Sequence, residues 1–336
     1  MSKICLFAFL LASTSLVSTV ACSSSSDDAA EAPKPDPVIG PTGPSGPVPT
    51  QAEAGIPVFD FPGPGAPVEG GTAADAGADV QPIEMDPGAA QGARAWGVDV
   101  DGRLVSFRVN APDQVSVKLV TGLPAGEKIL AVDFRPAGGG MFALGSESHI
   151  YTIDRATGAV TSIGDGAAFT PGLHGQARGF DVNPVADKLR IHTDTDQNLR
   201  LDPLTGKVVT GGVDGTLSFI SGDVNFGQSP NIVATAYTNS VSPAPATTML
   251  YGIDSTRNLL TRLPAPNDGM VETVGSLGVE VEQAGGFDIA KDGTAYAVMR
   301  VAAENALYTI ALDTGAATKV GVIGYPLPLA SVSIEP

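Results

Sequence analysis

The residues with the clearest chemical potential in this sequence are aspartates that recur at one position of a repeated segment. Three copies, ILAVDFRP, ARGFDVNP and AGGFDIAK, contain Asp133, Asp181 and Asp288, and the looser copies VATAYTNS and LASVSIEP place Thr238 and Ser333 there. Paired carboxyl groups can act as general acid and as nucleophile or base in glycoside hydrolysis. Clustered carboxylate oxygens can also bind Ca²⁺. We therefore treat the three aspartates as candidate catalytic residues, against the alternative that a residue repeated in this way builds the scaffold.

Other residues that could bind a metal ion are few. Of the three histidines, His174 and His192 fall in the same repeat as Asp181, but their spacing matches no known ligand motif. The run 194–198, DTDQN, begins like a calcium-binding loop, yet Leu199 stands where an EF-hand needs glycine, so we interpret it as a polar turn. We predict no cofactor, with Ca²⁺ near the aspartates as the one ion kept open.

Short β-strands must position these candidates. Residues 149–164, HIYTIDRATGAVTSIG, combine an alternating strand, an Asp-x-x-Thr-Gly turn and a second short strand, which predict a β-hairpin. The strands interpreted as opening such hairpins include IYTIDR, LRLDP, LYGIDS and LYTIAL. Both they and the aspartate-containing strands recur about every 50 residues, with a further strand between them. Four strands per repeat at this period are typical of a β-propeller blade.

The two ends of the repeat array predict how the ring closes. The first repeat lacks its opening strand, whereas an extra opening strand, LASVSIEP at 329–336, follows the last complete repeat. A C-terminal strand that completes the first blade would close the ring and leave no unpaired edge there. The sequence thus predicts an all-β protein in which 95–336 is a propeller of five four-stranded blades. Six blades are the alternative, because the loops at 241–248 and 264–271 could contain further strands.

Several motifs in order carry a resemblance to a known family. GFDVNP, DQNLRLDP, ATAYTN, TMLYGID, GGFDI and LYTIALDTGAATKVG closely resemble the bacterial exported family called domain of unknown function 4394. The resemblance extends over about residues 96–324. It implies propeller-like repeats, and because that family has no assigned activity it implies no catalytic residue.

Charge and cysteine content exclude some functions. The chain has 36 acidic against 19 basic residues, a net charge of −17, whereas a nucleic-acid-binding surface needs clustered Lys and Arg. Both cysteines, Cys5 and Cys22, lie near the N-terminus. The predicted propeller therefore has no disulfide bond and no cysteine-based metal site. We also expect a monomer.

The N-terminal region predicts export and lipid anchoring. Lys3 followed by an apolar run indicates a signal peptide over 1–21. The residues before Cys22 resemble a bacterial lipobox, in which the cysteine is acylated, although Thr19 stands where leucine is preferred. Ser23 after the cysteine favours the outer membrane under the usual bacterial sorting rule. We therefore expect an exported protein, lipid-anchored at Cys22 to the cell envelope, on the outer membrane or cell surface.

A long linker separates this anchor from the propeller. Residues 22–94 are rich in Pro, Gly, Ala and acidic residues, with few large apolar side chains. Such a composition buries too little apolar surface to offset the entropy of ordering, so we predict a disordered tether. No later segment approaches the ~20 apolar residues of a membrane-spanning helix.

Two functions are compatible with these features. The preferred one is non-enzymatic: a rigid disc that binds a protein or glycan at the envelope through its loops. The alternative is a hydrolase of glycosides or lactones whose central channel is lined by Asp133, Asp181 and Asp288. The single tryptophan, Trp96, is expected to pack between blades rather than to stack on a sugar.

Overall fold

The computed structural model describes residues 92–176 and 178–336. The predicted signal peptide, Cys22 and nearly all of the predicted tether lie outside these residues. Inside them, the strands form five sheets, antiparallel except for one short parallel pair, and one 3₁₀ turn at Pro266–Asp268 is the sole helical element of the described part. No helix among the described residues has the length and apolar character needed to span a bilayer.

Each sheet is one blade. Blade 1 consists of β1 (Arg94–Asp99), β2 (Leu104–Arg108), β3 (Ala111–Lys118) and β21 (Leu329–Ile334). Blade 2 consists of β4 (Ile129–Phe134), β5 (Met141–Gly145), β6 (Ile150–Ile153) and β7 (Val160–Ser162). Blade 3 consists of β8 (Arg178–Asn183), β9 (Lys188–Thr193), β10 (Asn198–Leu201) and β11 (Val208–Val213). Blade 4 consists of β12 (Ser218–Phe219), β13 (Ile232–Tyr237), β14 (Leu250–Asp254), β15 (Leu259–Ala265) and β16 (Met270–Ser276). Blade 5 consists of β17 (Gln283–Ile289), β18 (Ala295–Val301), β19 (Glu304–Ile310) and β20 (Ala317–Val322).

The opening strands of the blades meet around a central axis. Strands β21, β4, β8, β13 and β17 contact one another in that order, and β17 contacts β21 again, which closes the ring. Each of these strands is almost entirely buried, as expected for the innermost strand of a propeller blade. The structure is therefore the five-bladed all-β propeller that the sequence predicts.

The hydrophobic core is divided into layers between neighbouring blades. One layer packs Trp96 and Val98 of blade 1 against Val132 and Tyr151 of blade 2. Equivalent apolar clusters lie between blades 2 and 3, 4 and 5, and 5 and 1. Each blade has two apolar faces, and each face packs against a neighbouring blade. Closure of the ring therefore leaves no blade face without a neighbour.

The ring is closed by the two ends of the described chain. Strand β21 pairs with β1, with Trp96 opposite Ser333 and Gly97 opposite Val332, so the predicted C-terminal completion of blade 1 is confirmed. A side chain at position 97 would overlap the carbonyl oxygen of Ser331. Glycine is therefore needed for the close approach of these strands.

The predicted hairpin turns are built by aspartate side chains. The carboxylate of Asp154 accepts the backbone N–H groups of Ala156 and Thr157, both at 2.8 Å, and Gly158 completes the turn with a positive φ of 79°. Asp202 makes the same contacts in blade 3. The recurring Asp-x-x-Thr-Gly motif is therefore a turn that connects the third and fourth strands.

Blade 4 departs from two predictions. The six-blade alternative is wrong, since 241–248 contain no strand and 264–271 hold a tight turn between β15 and β16. The LYGID segment is β14, the second strand of its blade and not the strand that opens the outer hairpin. Second and third strands carry similar apolar patterns, and the long loop before β14 shifted the count by one strand. Blade 4 also gains the short strand β12, which pairs in parallel with β16.

Candidate functional site

The three candidate aspartates do converge on the propeller axis. Asp133, Asp181 and Asp288 lie on β4, β8 and β17, and one carboxylate oxygen from each lies within 4.8 Å of the others. All three side chains are buried, with at most 5% of each residue exposed. Among the described residues this is the one cluster of at least three carboxylate or histidine side chains that could share a metal ion.

The other two positions of this ring are Ser333 and Ala236. Each ring residue pairs with an equivalent residue of the second strand in its blade: Trp96, Phe142, Arg190, Tyr251 or Tyr296. By this register the blade 4 member is Ala236, opposite Tyr251, and the placement of Thr238 in the ring is wrong. Thr238 lies beyond the end of β13, where its hydroxyl accepts the N–H of Met249 at 2.9 Å.

The ring residues bind the backbone of the next blade. The carboxylate of Asp133 accepts the N–H of Val182 at 2.8 Å, and that of Asp181 accepts the N–H of Tyr237 at 3.2 Å. These two contacts link β4 to β8 and β8 to β13. These bonds fit the alternative stated from the sequence, that the repeated aspartate builds the scaffold, and the donor in each is a backbone N–H of the neighbouring blade.

Asp288 and Ser333 link the remaining inner strands in the same way. Asp288 accepts the N–H of Ile334 at 2.5 Å, and the hydroxyl of Ser333 donates to Asp133 at 2.7 Å and accepts the N–H of Phe134 at 3.3 Å. Only Ala236 has no side-chain acceptor, and there the N–H of Ile289 bonds the carboxylate of its own neighbour, Asp288, at 2.7 Å.

Burial and mutual repulsion suppress ionisation in this ring. Burial raises the pKa of Asp133 well above its ordinary value, and the charge of Asp288 raises it further. Burial likewise raises the pKa of Asp181, with added repulsion from Asp133 and Asp288, and burial raises that of Asp288. Carboxyl groups this close share protons instead of carrying three full charges.

The space around the ring is too small for an organic substrate. The cavity that contacts Asp133, Asp288 and Ser333 has a volume of about 10 Å³, which suits one water molecule or a small cation. The side chain of Asn183, two residues after Asp181, accepts the N–H groups of Val185 and Ala186 in the turn after β8. The geometry can hold protons or one ion, but it offers no room for a glycoside or lactone.

Larger cavities lie between the blades. Equivalent clefts occur where the second strand of one blade faces the turn after the third strand of the next. Their volumes are about 640 Å³ between blades 1 and 2, 410 Å³ between blades 3 and 4, and 460 Å³ between blades 4 and 5. They are lined by the second-strand residues Trp96, Arg190 and Tyr251, respectively, so the clefts differ in chemistry.

The cleft between blades 1 and 2, here called the first cleft, is centred on Trp96. The guanidinium groups of Arg94 and Arg155 each lie 5.9 Å from the centre of its ring. The indole N–H donates to Glu335 at 3.2 Å, and the other carboxylate oxygen of Glu335 pairs with Arg155. Trp96 itself is 8% exposed, which agrees with the expectation that it packs between blades.

Residues 103–333 match the family described as Domain of unknown function (DUF4394). The chain belongs to the DUF4394 family. The match confirms the family resemblance stated from the motifs. Arg94, Trp96 and Glu335 of the first cleft lie outside the matched residues, whereas Arg155 lies inside them.

Solved structures similar to this DUF4394 protein differ in function. Virginiamycin B lyase from Staphylococcus aureus is 12% identical, covers 68% of this chain and 69% of its own, and has a TM-score of 0.38. A protein of unknown function from Bacteroides thetaiotaomicron is 17% identical (69% and 59% covered, TM-score 0.43). A calcium-binding protein, regucalcin, from Agrobacterium tumefaciens is 16% identical (68% and 70% covered, TM-score 0.37). No curated protein matches the sequence.

Sequence reasoning missed two buried polar groups of this DUF4394 protein. In blade 2, the carboxylate of Glu127 accepts the Tyr151 hydroxyl at 2.6 Å and lies 3.0 Å from Nδ1 of His149. These residues tie the segment before β4 to the β5–β6 turn. Glu127 lies outside every strand and carries no motif, so only the folded chain brings it to Tyr151.

The second group surrounds Arg190 beside the cleft of blades 3 and 4. Its guanidinium donates to Asn198 and Asn267, both at 2.7 Å, to Asp214 at 2.5 Å and to Tyr237 at 3.2 Å. His192 is also buried, 3.0 Å from Asn198, and burial lowers its pKa to about 3. The metal-binding interpretation of His192 and His174 gains no support, because the metal-capable cluster of the described residues contains neither.

Proposed function

We propose that this DUF4394 propeller is a non-catalytic binding module displayed at the cell envelope, and that its ligand, a protein or a glycan, binds in the first cleft. One observation carries the proposal. The carboxyl groups that could perform hydrolysis are sealed inside the axis and bonded to backbone N–H groups, while the first cleft is open and has a ligand-sized volume of about 640 Å³. Small-molecule sites usually measure about 300–1,000 Å³.

The lining of the first cleft supports binding over hydrolysis. Its two acidic residues are already engaged: Glu335 contacts Trp96 and Arg155, and Asp154 accepts two backbone N–H groups of its own turn. A general acid or base must be free to exchange a proton with substrate. Among the residues that the structure describes, the first cleft therefore has the groups to hold a ligand and no free carboxylate to cleave one.

Display at the envelope is the second part of the proposal. Lipid attached to Cys22 would hold the mature chain at a membrane, since each buried CH₂ contributes about 0.8 kcal/mol. The linker before Arg94 would then hold the disc away from the lipid surface. We propose the outer membrane or cell surface as its location.

Fluorescence of Trp96 tests the binding function directly, because it is the single tryptophan of the chain and lies in the first cleft. Solubilised envelope glycans and envelope proteins are titrated against the purified protein. We expect a saturable change in emission without turnover. Hydrolysis of glycoside or lactone substrates that is lost in Asp181→Asn would contradict the proposal and restore the hydrolase alternative.

A further inference from the structure

The first cleft is basic within a strongly acidic protein. Its charged lining consists of three cations, Arg94, Lys118 and Arg155, and two anions, Asp154 and Glu335. The chain as a whole has a net charge of −17. The first cleft therefore has a local excess of positive charge. It is also the largest of the three clefts and the one that contains the tryptophan.

Two of these cations have no carboxylate partner within the described part of the chain. Both acids of the first cleft are engaged, Glu335 by Trp96 and Arg155, and Asp154 by its own turn. Arg94 makes one long hydrogen bond, 3.4 Å, to the hydroxyl of Ser106. Neither Arg94 nor Lys118 takes part in an ion pair with a described residue.

In the equivalent clefts, by contrast, arginine side chains already have hydrogen-bond or ion-pair partners. Arg190, which occupies the position of Trp96 in blade 3, is buried and donates to four different side chains. Arg262 in the cleft between blades 4 and 5 pairs with Glu272. Arg94 and Lys118 differ from both, because their donors are available to something that enters the cleft.

From these contacts we infer that the first cleft binds an anionic saccharide, of about one or two sugar units, through an oxyanion held by Arg94 and Lys118. A guanidinium donates in a planar fork that matches a carboxylate or a phosphate, and its stacking on Trp96 orients that fork. The inference rests on the proposed binding function and names the chemistry of its ligand.

The rest of the lining favours a saccharide over a peptide. Ser106, Ser116 and the backbone at Gly139 and Gly140 offer polar groups without an exposed large apolar side chain. Sugar hydroxyls can donate to and accept from such groups. A peptide would need an apolar pocket for an anchoring side chain, and the aliphatic lining residues Met141 and Ile153 are both buried.

Matched sugars test the inference. Glucose, glucuronate and glucose 6-phosphate share one body and differ in having no anion, a carboxylate or a phosphate. We titrate each against Trp96 fluorescence at low salt and repeat the titration by calorimetry. Glucuronate, glucose 6-phosphate or both bind at least about tenfold more tightly than glucose, and added salt weakens them. The ratio of the two anionic sugars distinguishes a carboxylate from a phosphate ligand.

Two variants and a control assign the effect to the first cleft. Arg94→Gln and Lys118→Gln each weaken binding of the anionic sugar about tenfold. Neither changes the affinity for glucose, which has no anionic group. Arg262→Gln removes a cation from the cleft between blades 4 and 5 and leaves the affinities for glucose, glucuronate and glucose 6-phosphate unchanged. Both cleft side chains are partly exposed, and thermal unfolding of each variant verifies that the fold is intact.

The outcomes separate this inference from the function on which it rests. Equal binding of all three sugars, or unchanged binding in Arg94→Gln, overturns the oxyanion site but leaves a binding module in place. Tighter binding of the dipeptide Glu-Glu than of either anionic sugar overturns the saccharide class. If no sugar or dipeptide changes Trp96 emission or releases heat, the inference is wrong. The proposed function itself fails only if envelope components also leave Trp96 unaffected.

Discussion

At the scale of single residues, the axial ring shows how one side chain can serve a scaffold and still resemble an active site. Asp133, Asp181 and Asp288 are buried and mutually close, the features that often mark catalytic carboxyl groups. Each nevertheless accepts a backbone N–H from the next blade. Their raised pKa values follow from burial and like charge, so their place at the junction between blades is enough to explain them.

Asp181→Asn is expected to stabilise the protein at neutral pH. The amide oxygen still accepts the N–H of Tyr237, while the NH₂ group donates to a neighbouring carboxylate, which replaces repulsion by a hydrogen bond. We expect a gain of about 0.5–1.5 kcal/mol, the usual net contribution of one added hydrogen bond. Urea unfolding of the variant and wild type at pH 7 measures it.

The stability difference between Asp181→Asn and the wild type should depend on pH. In the wild type the folded pKa of Asp181 lies above its ordinary value of 3.8, so the folded state holds a proton that the unfolded state releases. The carboxyl group therefore favours folding at acidic pH, and this advantage is lost as pH rises through the folded pKa. The stability difference between Asp181→Asn and wild type should grow from pH 4 to pH 7.

Comparison with the wild type at each pH is needed because His192 acts in the opposite direction. Burial lowers its pKa to about 3, so the unfolded state takes up its proton first and stability falls as pH drops below 6.5. Asp154→Asn is the control of opposite sign, because the backbone N–H of Thr157 lowers the pKa of this exposed carboxyl, so its loss should, if anything, reduce stability at pH 7. Destabilisation by Asp181→Asn, reproduced by EDTA in the wild type, would instead show that the ring binds a cation.

At the scale of elements, the pairing of β1 with β21 decides whether the ring is closed. Gly97 lets the two strands approach, because a Cβ atom there would overlap the carbonyl oxygen of Ser331. That single contact lies between residues more than 200 positions apart in the sequence. A local change at Gly97 should therefore affect the whole propeller.

Gly97→Ala should destabilise the propeller by about 1–3 kcal/mol, the usual range for substitutions that force buried backbone to shift. For a domain of this size each kcal/mol lowers Tm by about 2–4 °C. Gly140→Ala is the matched control, since its Cβ would meet only the Phe142 ring at 3.8 Å. Thermal unfolding measures both, and equal Tm values for the two variants would mean that the closure is not tight.

The sequence predicted the elements well because they follow local rules. Alternating apolar residues, turn aspartates and glycines determine each strand and hairpin, and their recurrence determines the number of blades. The errors occurred in blade 4, where a long loop precedes β14 and no acidic residue marks the ring position. Ala236 could be recognised only from its pairing with Tyr251.

The candidate binding site was much less predictable. The first cleft joins Arg94 and Trp96 of β1, Arg155 of blade 2 and Glu335 after β21. Glu335 lies 239 positions from Trp96 and 180 from Arg155. Arg155 and Glu335 lie in repeated segments, but at positions where the other copies carry different residues. Only ring closure brings these residues together with Arg94 and Trp96. Function is therefore expected where the blades differ, whereas the recurrent motifs build the fold.

At the scale of the whole molecule, the acidic chain carries a basic cleft between blades 1 and 2, beside the first described strand. Strand β1 begins at Arg94, a lining residue of the first cleft, and directly follows the linker predicted at 22–94. The proposed anchor and linker would let the proposed binding site search the space around the anchor, because a linker sets the effective concentration of a site.

The anchor itself is tested by Cys22→Ala, with Cys5→Ala as the control because it removes the other cysteine and leaves the lipobox-like residues intact. Acylated wild type and Cys5→Ala should sediment with membranes and partition into detergent, since lipid chains bind a bilayer in proportion to their buried CH₂ groups. Cys22→Ala should lack acylation. An uncleaved apolar segment could hold the Cys22→Ala variant at the membrane, so sedimentation alone does not test acylation. Mass spectrometry does test it: the mature wild-type chain should begin at a lipid-modified Cys22. A mature chain that begins elsewhere, or an unmodified Cys22, would show that the propeller is not displayed through a lipid.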